Sequence, residues 1–141
     1  MATESRRRVL ARLALGLGVT ACGRAFAQPA EGAAYVGVET AATGRSTASF
    51  FAASGARLGA VPLDFRAHGM AAHGSLIAVL PRRPGDRFAL IDQATLELRA
   101  VVIAPPEVHF YGHGAFTRDG RHLLVPENVL ETLAGALGVY E

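Results

Sequence analysis

The chain has 141 residues, half of them hydrophobic and 18% charged, with 14 arginines, no lysine and 12 acidic groups, which fits one ordinary domain. Residues 1–27 hold five of the arginines and one acid, so the remainder carries nine arginines against eleven acids, a net charge of −2. That balance removes the electrostatic case for nucleic-acid binding, which needs a clustered basic face on the folded part, and a single cysteine, Cys22, excludes a disulfide framework.

The N-terminus reads as an address. Ser5-Arg6-Arg7-Arg8-Val9-Leu10 resembles the twin-arginine export motif, with Arg6 and Arg7 at its centre, and an apolar run from Leu13 to Ala21 follows it. That run is about half of the ~20 residues needed to span a bilayer, so a signal helix is expected over 1–27 and not a permanent anchor. Two endings compete. Ala25-Phe26-Ala27 is a signal-peptidase site that leaves Gln28 first, and Val19-Thr20-Ala21-Cys22 fits a lipobox in which Cys22 is lipidated. The first places the mature protein in the periplasm, the second on a membrane surface as a lipoprotein.

Residues 28–33 form a short linker, and the folded domain is expected over 34–141. No helical period runs through it. Short runs rich in Val, Leu, Ile, Phe and Ala alternate with Gly, Asp, Pro and Ser, the pattern of strands and turns. Strands are expected at Ala34–Val38, Thr47–Ala52, Leu58–Leu63, Met70–Ala72, Leu76–Leu80, Arg87–Ile91 and Glu97–Ile103, and Pro105-Pro106 must interrupt the sheet because proline cannot donate to its ladder. Between His109 and Asn128 lies a hairpin entered through His113-Gly114 and turned at Asp119-Gly120, since glycine and aspartate suit the backbone that such turns require. The loop Val129–Ala134 and a last strand, Leu137–Tyr140, complete the chain.

These strands repeat. His68-Gly69 recurs 45 residues later as His113-Gly114; Arg87–Asp92 recurs 49 residues later as Ala136–Glu141; Thr47–Ala52 precedes Arg87–Asp92 by 40. A drifting period of ~40–50 residues with four strands per unit is the signature of a β-propeller. The expected fold is all-β, a partial propeller of about two and a half four-stranded blades.

In a propeller the first strand of each blade lines the central channel, so His68 and His113 are expected at one mouth from neighbouring blades. Imidazole there can ligate a transition metal, bind a carboxylate or act as a base. His109 and Glu127 are candidates for the same rim. Arg82 and Arg83 sit in a loop where their planar donors could clamp an anion or a partner protein. Asp119 and Gly120 are assigned to turn geometry, Phe110 and Tyr111 to packing between blades, and His73 and His122 to the solvated surface. The sequence contains no Ser/His/Asp order, no H-E-x-x-H, no phosphate-binding glycine loop and no zinc-spaced cysteines.

Tyr35-Val36-Gly37, Arg66-Ala67-His68-Gly69-Met70-Ala71, Arg82-Arg83-Pro84-Gly85 and His109-Phe110-Tyr111-Gly112-His113-Gly114 through Asn128 resemble the bacterial family called domain of unknown function 1513. The resemblance implies an exported, seven-bladed propeller of the YVTN kind, encoded beside imelysin-type and other periplasmic iron-uptake proteins. Closing such a ring takes several hundred residues, so the chain is expected to be its N-terminal portion, ending inside the third blade. Two function classes remain: a periplasmic binding or scaffold protein associated with iron uptake, as the resemblance implies, or a lactonase- or quinoprotein-like enzyme with a metal or cofactor held by the channel histidines.

Overall fold

The structure is a computed structural model and describes residues 32–141; the expected export signal, with Arg6, Arg7, Cys22 and Ala27, lies outside the described residues. Eleven strands follow in chain order: β1 Tyr35–Thr40, β2 Ser46–Phe51, β3 Arg57–Leu63, β4 Ala67–His73, β5 Leu76–Pro81, β6 Arg87–Asp92, β7 Glu97–Ile103, β8 Val108–Phe110, β9 Ala115–Phe116, β10 Leu123–Val129 and β11 Gly135–Tyr140. All pairing is antiparallel, between neighbours in sequence except for β8 with β10, in three separate sheets. The first holds β1-β2-β3 and the second β4-β5-β6-β7. In the third, β8 and β9 lie one after the other along the same edge of β10, and β11 pairs its other edge.

The sheets stack face to face in chain order, and their sequences explain why. On β5, Ile77 and Val79 face the first sheet while Ala78 and Leu80 face the third; on β6, Ala89 and Ile91 face one way and Phe88 the other. Successive side chains on a strand point to opposite faces, so a sheet covered on both sides reads as an unbroken apolar run, as Leu76–Pro81 does. One core joins the first and second sheets through Ala48, Phe50, Val61 and Leu63. The other joins the second and third through Phe110, Leu123, Val125 and Tyr140. Meandering sheets that each bury both faces against the next are the blades of a propeller, and the described residues form part of one.

Three details differ from the sequence reading. The strand expected at Met70–Ala72 extends back to Ala67, so His68-Gly69 lies inside it. The strand leading to the Asp119-Gly120 turn is interrupted at Tyr111–Gly114. The blades carry three, four and three strand positions. Thr47–Ala52, matched by spacing to β6, falls on β2, second in its sheet, whereas β6 is third. The first sheet therefore aligns as a blade without a counterpart of β4 among the described residues.

Candidate functional site

The first strands of the second and third blades are both irregular at their histidines. In β4 the register shifts between Ala67, opposite Pro81, and Gly69, opposite Leu80, leaving His68 as an extra residue. In the third blade, Phe110 pairs with Glu127 and Ala115 with Leu124, so four residues, Tyr111–Gly114, span the two partners Val125 and Pro126. A bulge bends its strand and re-aims the side chain that it carries. Here two bulges on adjacent blades bring the rings of His68 and His113 to 5.2 Å between centroids, edge to face at 72°.

The glycines make this approach sterically possible. A Cβ on Gly69 would lie 2.3 Å from the carbonyl oxygen of Gly112, and one on Gly112 would lie 2.9 Å from the His68 ring. Gly112 also holds φ at +92°, which side-chain-bearing residues rarely adopt. Gly69 and Gly112, each next to one of the two histidines, then serve the contact between inner strands, and the histidines are what that contact delivers to the surface.

The loop after β5 closes the site. Its Arg82 N–H donates to the Arg66 carbonyl at 2.7 Å, and Gly85 is bridged to Phe110 across the blade boundary, with Phe110 N–H donating to the Gly85 carbonyl at 2.8 Å. Between these anchors Arg82 and Arg83 project toward the histidines. The Arg83 guanidinium lies 4.6 Å from the centre of the Tyr111 ring and also donates to the Tyr111 hydroxyl. His68, Arg82, Arg83, Tyr111 and His113 line one open cavity of about 370 Å³, within the ~300–1,000 Å³ typical of small-molecule sites. No carboxylate lines it. Asp86, farther along the loop, is bound at both oxygens by Arg87, whose hydrogen bond and charge hold the carboxyl below its ordinary pKa.

The other candidates lie elsewhere. His109 does not join the histidine cavity; it lines a neighbouring depression with Pro84, Pro105, Pro106 and Leu130, its ring stacked 6.4 Å from Tyr111. Its Nδ1 is buried without a hydrogen-bond partner among the described residues. Glu127 does not line the histidine cavity either. It is 2% exposed on the inward face of β10, where the Tyr140 hydroxyl donates to its Oε1 and a Cβ on Gly138 would collide with it. Tyr111, read from sequence as packing, instead lines the cavity. His73 is exposed, as expected; its Nε2–H donates to the Arg118 carbonyl at 3.2 Å, and it sits where a Cβ on Gly120 would be, pinning the two blades at their opposite ends. His122 lies 3.5 Å from Glu141, and Asp119 receives Thr117 Oγ1 at 2.6 Å and the Arg121 N–H at 3.2 Å, the turn role expected of it. Among the described residues no group of three or more His, Cys, Asp or Glu is placed to hold a metal. The imidazole pair supplies two of the three or four protein ligands such sites use.

A family model described as "Protein of unknown function (DUF1513)" matches residues 61–141. The chain belongs to this family. The matched DUF1513 span contains all five cavity residues and both bulges. No curated protein matches the chain. Among solved structures it is similar to dihydro-heme d1 dehydrogenase NirN in complex with DHE, at 19% identity and a TM-score of 0.48, over 75% of this chain. The chain spans 28% of the length of that protein.

Proposed function

We propose that this chain is a binding module of an exported propeller, delivered to the periplasm by its twin-arginine signal and working beside imelysin-type iron-uptake proteins, with the His68–His113 cavity as its contact site. One observation carries the reading: two histidines 45 residues apart in sequence are re-aimed by separate bulges into a single cavity across a blade boundary. Packing alone gives no reason for this, because the glycines and the apolar core already join the blades. The iron-uptake setting rests on the family resemblance; the choice of binding over catalysis rests on the lining. Two imidazoles, two guanidiniums and a phenol include no carboxylate or thiolate to activate a nucleophile or complete a metal site.

The test is equilibrium binding of the whole protein to a purified imelysin-type protein from the same cell. Replacing both His68 and His113 by alanine is expected to weaken capture at least tenfold, about 1.4 kcal/mol. A double variant that binds as the parent does overturns the cavity's role. Stoichiometric metal that survives chelation and is lost with the two imidazoles would move the protein to the lactonase- or quinoprotein-like enzyme class.

A further inference from the structure

We infer that the His68–His113 cavity takes a small multivalent oxyanion, a compound carrying several carboxylates or a phosphate. This rests on the reading of the cavity as a binding site and names what it binds. Charge is the first ground. The chain has nine arginines after residue 27, and three of them are engaged by acids: Arg57 with Glu39, Arg87 with Asp64 and Asp86, Arg99 with Asp92 and Glu97. Arg82 and Arg83 are adjacent, line one cavity with two imidazoles, and have no carboxylate partner among the described residues. A bare cation entering there would meet two fixed positive charges at close range, whereas an anion is attracted by both.

Donor geometry is the second ground. Arg83 is held before any ligand arrives, its guanidinium carbon over the Tyr111 ring and its Nη1 tied to the phenol oxygen. A guanidinium so fixed loses little freedom when its remaining N–H groups meet a carboxylate or phosphate, which it matches as a planar fork. Arg82 sits on a backbone anchored at Arg66 and supplies a second fork, while the imidazoles, crossed edge to face, present ring nitrogens as further donors. One carboxylate, with two oxygens, is too small to use all four side chains. Two or three carboxylates on one small molecule, or a phosphate with its three or four oxygens, can, and the cavity volume admits a molecule of that size.

The experiment titrates the whole protein with citrate and, separately, with inorganic phosphate, reading the ring resonances of His68 and His113 and the calorimetric affinity. A neutral polyol and zinc ion serve as controls. The inference expects both rings to shift with an oxyanion and not with the polyol, and affinity to fall tenfold or more in Arg82→Gln and in Arg83→Gln. Arg82→Lys, which keeps charge and loses the fork, should fall between Arg82→Gln and the parent. Tighter binding of citrate than of phosphate identifies a polycarboxylate; the reverse order identifies a phosphate compound. Oxyanion affinity unchanged in both glutamine variants, or zinc binding at the two rings with no response to either anion, overturns the inference. If anions fail while the double histidine variant still loses the iron-uptake partner, the binding-site reading survives and only the ligand class falls.

Discussion

The two blade junctions are built from different materials. Between the first and second sheets the contact is a largely aliphatic layer, with Val61, Ile77, Val79 and Ile91 around one fully buried ring, Phe50, and a half-buried polar tie in which Ala67 N–H donates to Ser46 Oγ at 2.9 Å. Between the second and third the layer is aromatic. Phe88, Phe110 and Tyr140 meet edge to face with centroids 5.1–6.0 Å apart, a buried glutamate is enclosed beside them, and the inner strands touch through glycine. The cavity of His68, Arg82, Arg83, Tyr111 and His113 lies at the second junction. The contrast suggests a division of labour. An aliphatic layer tolerates small shifts of one sheet over another, whereas oriented rings and backbone-to-backbone contact fix a register, and a site assembled from two blades needs a fixed register.

The largest effects should come from the rings. Phe50→Ala and Phe110→Ala each remove a fully buried aromatic side chain and are expected to cost about 3–5 kcal/mol. Phe110 also loses two edge-to-face partners, each worth about 0.5–1.5 kcal/mol beyond its area. Denaturant unfolding should therefore find Phe110→Ala the worse of the pair by about 1 kcal/mol or more. Equal losses would mean that the aromatic junction is only another apolar layer.

Glycine gives a paired test of the same contrast. At the first junction a Cβ on Gly59 would meet Leu96 Cδ1 at 2.5 Å, the far end of a side chain that can turn away; at the second, a Cβ on Gly69 would meet the Gly112 carbonyl oxygen at 2.3 Å. Gly59→Ala is expected to cost under about 1 kcal/mol, and Gly69→Ala about 1–3 kcal/mol by overpacking against backbone. Gly69→Ala should also move the His68 ring resonances, and Gly59→Ala should not. Tyr140→Phe comes next, at about 1–2 kcal/mol, because it removes a buried hydroxyl that donates to the Glu127 carboxylate.

The blades were legible in the sequence and the cavity only in part. Strands and turns follow from short apolar runs and from Asp-Gly and Gly-Ser punctuation, and the 45-residue His-Gly spacing put two imidazoles on equivalent strands. Glu127 could have been placed by the alternation of side chains along β10: it shares parity with Leu123 and Val125, both inward, which points to burial for a residue read as rim. Tyr111 and His109 could not. In a regular strand His109, Tyr111 and His113 would share a face, and the bulge at Tyr111–Gly114 breaks that parity, leaving His109 in a separate depression. A bulge is selected by the contact that it makes with the next blade, here Gly112 against Gly69 and His68, and that contact has no local signature.

The smallest expected effect tests whether charge contributes to the first junction at all. Arg87 on β6 donates to Asp64, in the segment linking the first and second sheets, at 2.9 Å, and to both oxygens of Asp86. The acids are 60% and 69% exposed, so Asp64→Asn should cost under about 1 kcal/mol and less in high salt. The pH dependence has a fixed sign. Asp86 has its pKa lowered from 3.8, chiefly by the Arg87 hydrogen bond, so the stability it adds is present above that ordinary value and is lost as pH falls through the depressed one. Thermal melts of the parent and Asp86→Asn should differ by a constant small amount above about pH 5 and converge in more acid solution. If Asp64→Asn cost as much as Phe50→Ala, the first junction would be an ionic one with an apolar filling, and the contrast between the two junctions would have to be redrawn around Arg87.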